Sequence, residues 1–175
     1  MCEEEYELIR PSEEYADQIR NYREIFLKKH QSLDGTSDLK NHEDPDEWIA
    51  YVRSFENPDT VPAGMVPSDQ FLYVRKSDHS LLGMIQVRHE LNESLSLIGG
   101  HIGYSVLPKE RRKGIATRML KDVLPDCRSL GLKQVLLTCK KDNIGSRNVI
   151  LANNGVYEGD IADDQNIHER YWIYL

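Results

Sequence analysis

A chain of 175 residues is long enough to bury one core and too short for two full domains. With 39% hydrophobic and 29% charged residues it is globular rather than disordered, and no apolar run nears the ~18–20 residues that cross a bilayer. A net charge of −7 argues against general nucleic-acid binding, which needs a basic face.

The start, Met1-Cys2-Glu3-Glu4-Glu5, is acidic where a secretory signal would be basic and then apolar. The three cysteines, Cys2, Cys127 and Cys139, have neither disulfide-framework nor metal-ligand spacing. A reduced cytoplasmic protein without a metal or membrane partner is expected. Tyr6-Glu7-Leu8-Ile9 reads as a short strand. Ser12 then opens a helix to about Lys29, because Tyr15, Ile19, Tyr22 and Phe26 recur at three to four residues. Residues 31–43 are polar and loop-like. Asp44-Pro45-Asp46-Glu47 opens a second helix to about Phe55, with Asp44 as cap, Pro45 at the first helical position and Glu47 placed for a capping box. Residues 57–69, broken by Pro58, Pro62, Gly64 and Pro67, form a loop that either borders a substrate site or merely connects elements.

Three strands are predicted next: 70–75, 82–91 and 98–106, with turns at 77–80 and 92–96. The order then becomes helix 113–130, strand 134–139, helix 146–153 and two extended segments, 155–161 and 169–175. These imply an α/β (α+β) fold in one domain, with a mixed, mostly antiparallel sheet of about seven strands flanked by helices.

Charge is unevenly spread. Residues 1–60 hold 16 acidic and 7 basic residues, whereas residues 107–147 hold 11 basic and 4 acidic. Such a basic stretch suits a phosphate chain and the acidic third suits a cation, although solvated helix faces explain either equally well. Within the basic stretch, Val106-Leu107-Pro108-Lys109-Glu110-Arg111-Arg112-Lys113-Gly114-Ile115-Ala116-Thr117 leaves a strand, turns, and enters a helix. Gly114 permits close backbone approach, and the unpaired N–H groups of a helix start attract a pyrophosphate, aided by Arg111, Arg112 and Lys113. The G-x-G-x-x-G of a dinucleotide fold and the G-K-[ST] of a P-loop are both absent.

The pattern R-x-x-G-x-A at Arg111–Ala116, preceded by V-x-P, resembles the signature of the GNAT superfamily of N-acetyltransferases. The wording Gly100-His101-Ile102-Gly103-Tyr104-Ser105-Val106, then Leu137-Thr138-Cys139 and Asp142-Asn143-Ile144-Gly145-Ser146, is similar to a bacterial branch called predicted acetyltransferases. The resemblance is fullest over 70–175; residues 1–69 share with it only an initial strand and two helices.

It implies acetyl-CoA as cosubstrate and direct attack by an amine. Backbone groups of Tyr104, Ser105 and Val106 would meet the pantetheine arm, and the amides of Arg112, Lys113, Gly114, Ile115, Ala116 and Thr117 the pyrophosphate. Asn143 and Ser146 would lie near the far wall. The strands at 100–106 and 134–139 would splay to admit the ligand, Val106 N–H would serve the oxyanion, and residues 1–69 would form the acceptor side. A homodimer is common in the superfamily. The usual proton donor, a Tyr seven residues beyond Asn143, is replaced by Ile150, which leaves Tyr157, Tyr104 or solvent.

His101 is the first candidate base, since it lies on the thioester strand with a near-neutral pKa, and a structural histidine is its alternative. Glu90, acting through water, is the second; His89 should face away from it. Cys139 reads as a small apolar residue of a buried strand. The acceptor is an amine of a small molecule or protein, with a cation favoured by the acidic third. A CoA-binding accessory module without turnover is the competing function, and a plain basic loop the remaining one.

Overall fold

The structure is a computed structural model that describes residues 4–175. Cys2 and the first residues of the acidic start lie outside that range.

Strands β1 (Tyr6–Ile9), β2 (Ser68–Arg75), β3 (Ser80–Arg88) and β4 (Ile102–Val106) pair antiparallel in that order. Both faces of this sheet are covered, so β2 and β3 are buried along almost their whole length rather than alternating. On one face Leu72 and its cross-strand partner Met84 meet Ile19, Tyr22 and Phe26 of α1 (Ala16–Lys28) and Trp48, Ile49 and Val52 of α2 (Pro45–Ser54). On the other, Phe71 and its partner Ile85 share a core with Met119, Leu120 and Val123 of the helix after β4. Burying a Leu- or Phe-sized side chain stabilises by roughly 1.5–3 kcal/mol, so two such layers fix the sheet firmly.

The helix starts agree with the sequence in residue and differ in chemistry. Ser12 makes no side-chain cap; its carbonyl accepts the Tyr15 N–H, and a 3-10 turn, Glu13–Tyr15, precedes α1. Asp44 does cap α2, through Oδ1 on the Asp46 N–H at 2.9 Å, and Glu47 returns no bond.

Between β3 and β4 the sequence expectation is corrected. The expected turn at 92–96 contains a short helix, α3 (Glu93–Leu97), because the Asn92 carboxamide accepts the Leu95 N–H. Positive φ at Gly99 and Gly100 then reverses the chain, so β3 stops at Arg88 and β4 starts only at Ile102.

After β4 come a 3-10 turn, Pro108–Glu110, and then α4 (Ile115–Ser129), β5 (Gln134–Lys140), α5 (Ile144–Ala152), β6 (Val156–Ala162) and β7 (Ile167–Tyr174). The last three strands form a second antiparallel sheet ordered β5-β7-β6. The seven strands are therefore divided four and three. The two sheets touch through a bridge between Gly100 and Leu137, beside which the His101 N–H donates to the Leu136 carbonyl at 2.7 Å. Beyond that point β4 and β5 diverge.

Candidate functional site

The divergence leaves a wedge whose β4 edge can be read from the ladder. Arg88 N–H donates to the His101 carbonyl at 2.7 Å and Leu107 N–H to the Leu82 carbonyl at 2.9 Å. Antiparallel pairing alternates, so residues 103, 105 and 107, with the His101 carbonyl, turn their backbone groups to β3. Ile102, Tyr104 and Val106 consequently present theirs to the wedge. The Val106 carbonyl accepts the Arg111 Nε at 3.0 Å, which leaves the Val106 N–H and both Tyr104 backbone groups without partners among the described residues. Such edge groups are costly unless water or a strand-like ligand meets them. Ser105 is placed differently from the sequence expectation: its backbone serves β3, and its hydroxyl pairs with that of Tyr22 at 2.9 Å.

The turn before α4 forms the mouth of the wedge. Arg112 and Gly114 both have positive φ, 60° and 77°, and left-handed residues alternating with Lys113 make the amides converge. Among the described residues, the six consecutive N–H groups of Arg112, Lys113, Gly114, Ile115, Ala116 and Thr117 donate to no protein acceptor. A Cβ at Gly114 would meet no atom within 4 Å, so its small size matters for backbone conformation and for whatever approaches from outside. With the positive end of the 15-residue α4 behind them, these amides form an anion cradle.

Of the three basic side chains expected there, Arg111 instead braces the turn, donating to Val106 and to Gln31 Oε1 and lying over the Phe26 ring. Lys113 is paired with Glu110, which is buried and also held by Arg75. Arg112 is exposed and is the member of the trio without such a tie.

Across the wedge, Asn143 caps α5 by accepting the Ser146 N–H at 3.1 Å. The Ser146 and Tyr104 hydroxyls lie 2.8 Å apart, joining α5 to β4. Burial raises the Tyr104 pKa and keeps the phenol protonated. Cys139 is buried at the end of β5, and its thiol is pushed up to about 11 by desolvation, so little thiolate exists at neutral pH.

His101 sits at the vertex. Its Nδ1 accepts the Leu136 N–H at 2.9 Å, and desolvation, with the Arg88 charge adding to it, lowers its pKa. The neutral tautomer thus carries its proton on Nε2 and has no free lone pair. Glu90 lies beyond the end of β3, exposed and without a side-chain partner among the described residues. Ile150, where the resemblance led one to look for Tyr, is fully buried under Gly155. Tyr157 is exposed on β6 and donates to Asp160.

On the other side of β4 the loop 31–43 lies directly on the strand. A Cβ at Gly35 would come within 2.2 Å of the Gly103 carbonyl oxygen, so only glycine permits that approach. Gln70 locks the loop by donating to the Gly35 carbonyl and accepting from Ser37. Beneath it a cavity of about 460 Å³ reaches from Asp34 to Gln86 and Arg88, walled by Tyr51 and Phe55 of the α2 end and by Met65.

These features can be set against known proteins. The model of the acetyltransferase (GNAT) family matches residues 3–155, which is most of the chain. The chain belongs to the GNAT family. As a member it is an acyltransferase. The match takes in residues 3–69 as well as the part of the sequence that carries the motif. No curated protein matches the sequence.

Solved structures share the fold at low identity. The ribosomal-protein-S5-alanine acetyltransferase of Vibrio fischeri is 18% identical with a TM-score of 0.73, over 99% of this chain and 95% of that one. RimJ of Mycobacterium smegmatis, in complex with CoA-disulfide, is 18% identical with a TM-score of 0.70, over 97% and 81%. The microcin C7 self-immunity acetyltransferase MccE, in complex with acetyl-CoA and AMP, is 16% identical with a TM-score of 0.67, over 98% and 93%.

Two features of this GNAT domain had no signal in the sequence. The Tyr104–Ser146 contact joins residues 42 apart, and the cavity gathers five segments of the first hundred residues. Among the described residues, no helix is long and apolar enough to cross a membrane.

Proposed function

We propose that the chain transfers an acetyl group from acetyl-CoA to an amine within a ternary complex. The observation that carries this reading is the pairing of two sets of unsatisfied backbone donors: the wedge edge of Tyr104 and Val106, and the six amides of Arg112 to Thr117. Their chemistry fits the amide-rich pantetheine arm and the pyrophosphate of one ligand. Asn143 and Ser146 line the opposite wall, and residues 4–69 supply the acceptor side, where the cavity lies.

Bound acetyl-CoA supplies an activated acyl carbon, and the protein's residues do the rest. The Val106 N–H faces the wedge as donor to the oxygen that gains charge. The amine nitrogen bonds the acyl carbon, the carbon–sulfur bond breaks, and the departing thiolate takes a proton from the Tyr104 hydroxyl. The proton lost by the amine returns through water to the Tyr104 oxygen, which restores the phenol. His101 in its observed tautomer is a positioning group that holds β5 to β4, because its Nδ1 lone pair is already engaged. Holding both reactants in one cleft is worth roughly 7–11 kcal/mol, so a dedicated base is not essential.

A catalytically weak CoA-binding module is the second reading, favoured by Ile150 in place of the usual Tyr. Thermal shift with acetyl-CoA, desulfo-CoA and ATP, followed by thiol release over an amine panel, tests both. Stabilisation by both CoA species but not ATP, with thiol release, is expected. Stabilisation without release on any amine selects the second reading, and no stabilisation at millimolar acetyl-CoA refutes both.

A further inference from the structure

Arg88 ends β3 on the face that α1 and α2 cover, since its cross-strand partner is Ser68. Its Nη1 donates to the carbonyls of Gly100 at 2.9 Å and Gly99 at 3.4 Å. Among the described residues its Nε and Nη2 reach no acceptor and no carboxylate pairs with it. A largely buried guanidinium without a counter-ion is expensive, because desolvation is not repaid by attraction. Desolvation indeed lowers its pKa. The same side chain lines the 460 Å³ cavity, a volume in the range of small-molecule sites.

The cavity is also polarised. Asp34, on the loop over β4, lines it as well, and its charge bears on both Tyr22 and Tyr104, the tyrosines that contact β4 and the wedge. Asp34 therefore stands toward the Tyr104 end of β4 and Arg88, on the Gly99 and Gly100 carbonyls, toward its start, with Asp38 a second acid in the lining. Tyr51, Phe55, Met65 and Leu95 add apolar surface to the cavity.

Resting on the acetyltransferase reading, we propose that the acceptor is a small amino acid-type amine with an apolar side chain, its carboxylate held by Arg88 and its amine turned toward Asp34 and β4. A planar guanidinium with free donors matches a carboxylate by two parallel hydrogen bonds. A polyamine would set a cation against Arg88, and a protein N-terminus would offer it a neutral amide. The acidic first third thus acts locally, through Asp34, rather than by selecting a polycation.

The test compares leucine, leucinamide and 3-methylbutylamine as acceptors for the wild-type protein, with thiol release as readout. Leucine is expected to exceed both others at least tenfold in kcat/KM, although the amide has more free base at neutral pH. In Arg88→Gln that ratio should collapse through a rise in KM for leucine, with Arg88→Lys intermediate. Equal use of the amide, preference for a polyamine, or preference for a peptide with an N-terminal acidic residue would overturn the assignment.

A turnover-free arm separates this from failure of the wider reading. Titration calorimetry with N-acetyl-leucine and N-acetyl-leucinamide should favour the carboxylate at least tenfold in the wild type and lose that preference in Arg88→Gln. If acetyl-CoA binds but the two ligands bind alike, the Arg88 assignment fails alone. If acetyl-CoA does not bind, the transferase reading fails, and the carboxylate preference still reports on Arg88.

Discussion

At His101 a single proton decides whether the vertex holds. Burial, and next the Arg88 charge, keep the folded pKa below the usual 6.5, so as pH falls the unfolded chain is protonated first. The unfolded state then binds more protons than the native one, and stability declines from about pH 6.5 down through the folded pKa; above about pH 7 the effect vanishes. Protonating Nδ1 would also cost the Leu136 contact. His101→Gln keeps an acceptor that does not titrate. Its urea midpoint should therefore fall less steeply between pH 7.5 and 5.5 than that of the wild type; parallel slopes would show that His101 carries no such linkage.

Tyr104 makes a sharper case for chemistry. Its hydroxyl lies between β4 and α5, and burial keeps it protonated, so it can give a proton to a leaving thiolate only if that proton is replaced through water. Tyr104→Phe keeps the ring and removes the donor, so kcat should drop by about 10²-fold if proton donation is at stake. The loss of stability should stay near 1 kcal/mol, the net worth of one hydrogen bond. Thiol-release kinetics beside urea unfolding separate the two effects, and unchanged kcat would hand the proton to solvent.

Among the elements, the contact between β4 and β5 depends on one residue without a side chain. Gly100 has φ 65°, and a Cβ there would stand 2.2 Å from the Leu136 carbonyl oxygen. Since that atom is backbone, the strands themselves must part. Gly100→Ala is expected to cost at least about 2 kcal/mol from the strained φ together with the clash, and to raise the KM for acetyl-CoA by widening the wedge. A wild-type melting temperature and KM in this variant would contradict the role given to the vertex.

The elements also show what could be read in advance. Ile19, Tyr22 and Phe26 repeat at helical spacing and all fall in the core, because one apolar stripe has one place to go. The α4 entrance was legible since Gly114 and the basic turn are contiguous. Helix α3 was not, being five residues long, although Asn92 followed by Glu93 is a cap with an acid in the first turn. The division of seven strands into two sheets was invisible for another reason: where strands part depends on pairing across 35 residues, from His101 to Leu136, and no local pattern encodes it.

For the whole molecule, those two sheets make ligand binding and stability one problem. The four-stranded sheet carries helices on both faces, whereas it joins the second sheet at the Gly100–His101 vertex, supplemented by the Gly99 N–H on Thr138 Oγ1, by Arg170 on the Ser96 and Leu97 carbonyls and by the Tyr104–Ser146 pair between β4 and α5. A ligand lying along the wedge would act as an added strand, satisfying Tyr104 and Val106 on one side and the α4 amides at its end. At 100 times its Kd such a ligand adds about 2.7 kcal/mol, enough to raise the melting temperature by about 5–11 °C for a chain of this size. The gain should be localised. Hydrogen exchange with acetyl-CoA should slow at Tyr104, Val106 and Arg112 to Thr117, which donate to no acceptor among the described residues, and stay unchanged along β1, which is already paired on β2. Slowing spread evenly over both sheets would mean that the ligand tightens the fold in general and that the wedge is not its seat.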